Sequence, residues 1–222
     1  MKIIYPRVLA TIETVSTKQQ AAFRFDLTGG HLALDLANTV SRRDDPARRK
    51  EHLESFTDLL SFALQDRILS PKQANDLQRH ARQRESDAER SFRKAIELRE
   101  AVYRVFAAAA KGRPAPAEDL KRTNESALEA LQHRSLTRRN GSYHWEWQVE
   151  GKNPLDRILW PIAQSAVDLL TSDELKLVRW CEASDCEWLF LDHSRNRSRR
   201  WCDMNSCGNR AKARRHYQRT HE

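Results

Sequence analysis

The chain of 222 residues has no cysteine before position 181 and contains only six glycines and seven prolines. Because these two helix-breaking residues are scarce while Ala, Leu, Arg and Glu are abundant, the composition favours α-helix. No apolar run is long enough for a membrane-spanning helix or for a secretory signal. We therefore expect a cytoplasmic protein with no membrane partner, in a reducing compartment where structural disulfides are rare.

Sequence motifs of the common enzyme classes are also missing. There is no glycine-rich phosphate loop and no GxSxG elbow, and the eight histidines do not form an HExxH pattern. Six Trp, seven Phe and a hydrophobic content of 39% argue against a disordered chain. These features predict a folded protein that is not an enzyme.

The apolar pattern predicts a mainly α-helical domain over residues 1–172, followed by a small module over residues 173–222. Helical periodicity is clear in four stretches, which begin near Asp45, Ser70, Ala117 and Leu155. In the first stretch we expect Asp45 to cap a helix that begins at Pro46, and in the last we expect a kink near Pro161.

A minor β-hairpin is predicted between the third and fourth helical stretches. Asn140-Gly141 is typical of a two-residue turn. In the strand that follows, the residues on one face are Tyr143, Trp145, Trp147 and Val149. Residues 1–22 show no periodicity and are interpreted as an arm.

The four cysteines have the spacing Cys181-x4-Cys186-x15-Cys202-x4-Cys207. Two short pairs joined by a longer loop can place four thiolates around one tetrahedral zinc ion, which leaves no position for a substrate. Buried reduced thiols are an alternative, although these are usually scattered, and iron–sulfur clusters have different familiar spacings. The pattern predicts one structural Zn²⁺, on which folding of the module depends.

The net charge of +8 is confined to one segment. Residues 193–219 contain nine Arg or Lys residues and one acid, Asp203, whereas the basic and acidic residues elsewhere cancel. Such a concentration of charge favours a polyanionic partner over a merely solvated surface. The candidate nucleic-acid-binding residues are Arg195, Arg197, Arg199, Arg200, Arg210, Lys212, Arg214 and Arg215.

A short helix is expected from about Ser206 or Gly208, and it could enter the major groove of DNA. RNA is an alternative partner, since basic loops suit either nucleic acid, but no RNP-like aromatic motif is present. A protein partner for the module is a further alternative. If DNA is the partner, the protein would be associated with the nucleoid.

The stretches "CEWLFLD", "RRWC" and "CGNR" followed by "AK" resemble the CGNR-type zinc finger, and "GGHLALDLANTV" resembles the opening of the ABATE domain. The resemblance implies a mostly helical domain followed by a zinc finger with Cys181, Cys186, Cys202 and Cys207 as ligands. It also implies a transcription regulator whose finger binds DNA, and it offers no catalytic residues.

The polar residues Asp35, Asn38 and Thr39 lie close together within the ABATE-like motif. On one helical turn they could line a pocket for a small-molecule effector. A helix cap and a buried hydrogen bond are the more frequent roles of such residues, and we favour that interpretation. Because one short recognition helix buries little surface, a homodimer is also a hypothesis.

Overall fold

The computed structural model describes residues 24–148 and 153–221. The predicted arm over residues 1–22 lies outside the described residues, as does Val149. The helices are α1 (Leu32–Ala37), α2 (Phe56–Gln65), α3 (Pro71–Gln83), α4 (Glu85–Ala110), α5 (Ala117–Leu131), α6 (Leu159–Thr171) and α7 (Asn209–His221). The strands are β1 (Val40–Ser41), β2 (Lys50–Glu51), β3 (Arg134–Arg139), β4 (Ser142–Trp147), β5 (Val178–Trp180) and β6 (Leu189–Leu191).

The mainly α-helical fold class is confirmed, with α4 as the longest helix of the described chain. Its apolar stripe, which includes Leu98, Val102 and Phe106, is buried in the main core, together with α1, α2 and α6. None of the helices within the described ranges is both long enough and apolar enough to cross a membrane.

Two of the predicted helix starts have different outcomes. Ser70 caps α3 as expected: its side chain accepts a hydrogen bond from the backbone N–H of Gln73, and the Gln73 side chain accepts one from the backbone N–H of Ser70. The expected start at Asp45 and Pro46 is wrong, because α2 begins at Phe56 with Ser55 as its cap. Residues 50–51 instead form strand β2, which pairs with β1 in the antiparallel sense.

The β-hairpin of β3 and β4 is confirmed. Asn140 and Gly141 both have positive φ, at 49° and 82°, as a type I′ turn requires. Pro161 lies in the first turn of α6, where its missing N–H removes no helical hydrogen bond, and a 3₁₀ turn at Pro154–Ile158 precedes that helix.

Strand β6 joins the cysteine-rich segment to the helical core. Leu189 and Leu191 are part of the main core, whereas Phe190 between them belongs to a second cluster that contains the four cysteines. Successive residues of a strand point to opposite faces, so β6 has two buried faces. The zinc module therefore shares a strand with the core of the helical domain.

A buried ion network ties α4 to the segment between α1 and α2. Arg99 is fully buried, and its guanidinium donates two hydrogen bonds, of 2.5 and 2.8 Å, to the carboxylate of Glu51. It also donates to Glu100, which accepts a further bond from Arg43. Because Glu51 belongs to β2, this network fixes a short strand that the sequence periodicity did not predict.

We expect Arg99→Met to lower the free energy of unfolding by about 2 kcal/mol, because it leaves the partly buried carboxylate of Glu51 without its cation. Urea-induced unfolding would measure this change. As a control, Arg79→Met removes an exposed ion pair with Asp76 and should cost less than about 1 kcal/mol. Equal losses in the two variants would contradict a structural role for the buried network.

Candidate metal centre and basic surface

The four cysteines converge on one point in the second core cluster. Their sulfur atoms all lie within 4.8 Å of one another, and all four residues are buried. The Sγ atoms of Cys186 and Cys202 are 3.5 Å apart, and those of Cys202 and Cys207 are 3.6 Å apart. Four thiolates at this separation match a closed tetrahedral zinc site, in which the metal is structural.

Local backbone structure places the ligands in two pairs. Cys181 follows β5 directly and Cys186 lies in the turn before β6, with the backbone N–H of Cys181 donating to Trp188. Cys207 lies in a π-helical turn at Met204–Gly208, which Asp203 caps by accepting from the backbone of Ser206. The backbone N–H of Cys202 donates to the sulfur of Cys181, which links the two pairs.

A buried carboxylate shapes the loop between the two cysteine pairs. Asp192 is fully buried and accepts hydrogen bonds from Ser194 and from the backbone N–H of Arg199. Burial alone would raise the pKa of Asp192, but these hydrogen bonds hold it below its usual value. The side chain of Arg199 turns inward, where it donates to the carbonyls of Trp201 and Cys202 and lies over Phe190.

The other predicted nucleic-acid-binding side chains are exposed on the module. In the described chain Arg195, Arg197 and Lys212 form no ion pair. Arg210 and Arg214 both pair with Asp185, at 3.3 and 3.2 Å. Arg199 is thus set apart from this group by its inward contacts.

A groove of about 260 Å³ lies between the first cysteine pair and α7. Three of the predicted arginines line it together with Trp201, namely Arg200, Arg214 and Arg215. Arg200 pairs with Glu182 and lies over the Trp201 ring, and Arg214 donates to Ser184. The groove therefore combines cationic groups held in position with an aromatic side chain.

The motif around α1 holds the zinc module. Asn38 donates to the carbonyl of Leu189 at 2.8 Å and accepts from the Leu189 N–H at 2.9 Å. The N–H of Leu191 donates to Gly29, whose own N–H donates to Asp35. A Cβ atom at Gly29 would lie 2.9 Å from the Leu34 side chain, so the close approach requires glycine.

The residues predicted to form a ligand pocket do line one cavity. Asp35, Asn38 and Thr39 face a space of about 230 Å³ that Trp188 also lines. The side chain of each already has a hydrogen bond within the protein, with Thr39 donating to the Leu36 carbonyl. These bonds agree with the structural role that we favoured, and a small-molecule effector stays a prediction.

Among the carboxyl groups that line this cavity, that of Asp35 has the most strongly shifted pKa. Burial raises its pKa to about 7, although the hydrogen bond from Gly29 acts in the opposite direction. The negative charges of Asp66 and Asp26 raise the value further. This carboxyl group therefore stays protonated to a higher pH than an ordinary aspartate.

Together, the fold and the site define a helical domain joined to a structural zinc module with four cysteine ligands. Residues 30–173 match the family model ABATE, described as "Putative stress-induced transcription regulator", and residues 178–220 match the CGNR zinc finger. The chain therefore belongs to the ABATE family and carries a CGNR zinc finger. A comparison with curated proteins finds no match.

Two sets of contacts at this site were not predicted from the sequence. Asp185 binds two arginines of α7 and also lies 3.7 Å from Arg42 of the helical domain. Trp188 donates its indole N–H to the Val40 carbonyl. These contacts join residues that are far apart in the chain and unrelated by periodicity, so they could not be predicted from a sequence pattern.

We expect Cys207→Ser to lose zinc and to lower the melting temperature of the whole protein, because β6 contributes to both cores. Elemental analysis and a thermal scan would measure the two effects. The neighbouring variant Ser206→Ala serves as the control and should keep one zinc per chain. A full zinc content in Cys207→Ser would contradict the four-thiolate site.

The pKa of Asp35 predicts a specific pH dependence of stability. Since its pKa is raised in the folded state, the contribution of Asp35 to the free energy of unfolding should fall as pH rises from about 4 to about 7 and should level off above that. Asp35→Asn cannot ionise, so its stability relative to wild type should increase by about 2 kcal/mol between about pH 5.5 and 8. Urea-induced unfolding at several pH values would measure this.

An uncharged control variant, Ser61→Ala on the exposed side of α2, should keep the wild-type pH dependence. If the stability difference between Asp35→Asn and wild type did not change with pH, the account of Asp35 would be wrong.

Proposed function

We propose that the zinc module binds double-stranded DNA through α7 and the loop over residues 193–200, and that the protein thereby regulates transcription. The observation that carries the proposal is the confinement of the net charge of +8 to this zinc-ordered segment. The family description of the ABATE match supports a regulatory role.

The exposure of α7 suits entry into a groove. From Asn209 to Thr220 every side chain is exposed except the half-buried Ala211. Thirteen residues of α-helix span roughly 20 Å, which is enough to lie in the major groove of B-form DNA. A-form RNA has a deep and narrow major groove that excludes a helix, and this difference favours DNA over RNA.

The contacts of the arginines suggest two roles in binding. Arg210 and Arg214 are held by Asp185, so their guanidinium groups are already oriented and are candidates for contacts with guanine. Arg195, Arg197 and Lys212 lack such partners in the described chain and are suited to phosphates. Arg199 is left out of the interface, because its side chain supports the zinc module from within.

We expect the double variant Lys212→Ala/Arg215→Ala to weaken binding to duplex DNA and to reduce the slope of log K against log salt by about 2. Fluorescence anisotropy with a labelled duplex at several salt concentrations would measure both. The variant Lys72→Ala/Arg82→Ala removes the same charge from exposed positions of α3 and serves as the control.

Selection of genomic fragments by the zinc-loaded protein would test sequence recognition. An enriched motif that depends on Arg210 or Arg214 supports transcriptional control. Equal salt slopes for the α7 variant and the α3 control would overturn the proposed interface. If the protein bound single-stranded RNA but not duplex DNA, the proposed DNA binding would be wrong and RNA would be the partner.

A further inference from the structure

The exposed large hydrophobic side chains of the described chain are unevenly distributed. Nine such residues are exposed, and six of them lie between positions 120 and 145, in α5 and the β3–β4 hairpin. Their exposed fractions lie between 47% and 67% for Leu120, Leu128, Leu131, Leu136, Tyr143 and Trp145. Concentrated apolar surface of this kind marks an interaction site, whereas scattered residues do not.

The hairpin presents its apolar residues on one face. In the strand register Leu136 is opposite Trp145 and Arg138 is opposite Tyr143, so all four point to the same side. At the base of the hairpin Trp147 packs near Trp160, with ring centroids 6.2 Å apart, and is only half exposed. The apolar face therefore begins at the core and continues outward into solvent.

Helix α5 carries a second exposed apolar stripe. Leu120, Leu128 and Leu131 are spaced by eight and three residues, which places them on one side of the helix. This stripe lies beside the buried face that contains Ala127 and Ala130. Because α5 ends at Leu131 and β3 begins three residues later, the stripe and the hairpin are neighbours in the chain.

The two elements have opposite charge. The hairpin over residues 134–147 contains three arginines and one glutamate, a net charge of +2. Helix α5 contains four acidic and two basic residues, a net charge of −2. Glu118 and Glu125 of α5 form no ion pair within the described part of the chain. A hairpin placed on an α5 helix would thus match apolar with apolar surface and positive with negative charge.

We propose that this surface is a homodimer interface in which the hairpin of one protomer lies on α5 of its partner. In a two-fold symmetric dimer each protomer supplies both elements, so the contact is made twice. The six side chains expose on the order of 700 Å², which is near the roughly 800 Å² per partner of a standard interface.

A nucleic acid fits this surface less well. The cationic groups of the face are directed at aromatic rings, with the Arg134 guanidinium 5.0 Å from the Trp145 ring centroid and that of Arg138 6.0 Å from Tyr143. The net negative charge of the adjacent α5 would also repel phosphates.

Sedimentation of the full-length, zinc-loaded protein over a range of concentrations would measure dimerisation. We expect the wild type to dimerise, and Leu128→Glu and Trp145→Glu each to raise the dimer dissociation constant by about thirtyfold or more. As a control, Tyr217→Glu changes an equally exposed residue on α7 and should keep the wild-type constant.

A mixing experiment tests the arrangement itself. Arg134→Glu/Arg138→Glu makes the apolar face of the hairpin acidic, and Glu118→Lys/Glu125→Lys makes α5 basic, so each protein alone should be monomeric. In the mixture, each hairpin meets an α5 of opposite charge, and a heterodimer should form. Absence of the heterodimer would overturn the hairpin-on-helix arrangement.

A wild type that stays monomeric at every concentration would overturn the dimer proposal. If Trp145→Glu instead lowered the affinity for a single-stranded oligonucleotide while the protein stayed monomeric, the surface would be a nucleic-acid site. Neither outcome depends on duplex DNA binding by α7, so the proposed function is tested separately.

Discussion

The rest of the structure depends on the burial of β6 on both of its faces. Leu189 and Leu191 pack into the helical core, and Phe190 packs against the cysteines on the other side. Asn38 pairs with both backbone groups of Leu189, so the polar edge of this strand is satisfied by the helical domain. The metal site orders β6 from one side, and the apolar core covers it from the other. The two therefore stabilise each other.

This shared strand has a consequence for how the module acts. A zinc finger on a flexible linker would move independently of its neighbouring domain, whereas here α7 is oriented by contacts that begin in the helical domain. Asp185 lies at the centre of that connection, because it binds Arg210 and Arg214 of α7 and lies near Arg42. A change in the segment after α1 would therefore reach the basic surface through Asp185.

The zinc ligands and the hairpin were predictable from sequence because both are local signals: paired cysteines in one case and Asn140-Gly141 in the other. The same holds for α3, whose cap lies within four residues of the chain. The helix predicted to begin at Asp45 is absent for a non-local reason. Strand β2 forms there instead, and Arg99, almost fifty residues further along the chain, holds it through Glu51. The inward orientation of the Arg199 side chain could not be predicted either, because the sequence gives the position of a positive charge but not the direction in which its side chain points.

We infer that the zinc module and the helical domain form one cooperative unit through β6. Hydrogen exchange, followed by mass spectrometry before and after zinc is removed with a chelator, would measure this cooperativity. We expect the amides of α1 and of Asn38, which follows it, to lose protection together with those of β6. If only residues 178–220 lost protection while α1 kept its own, the two parts would be independent and the claim would be wrong.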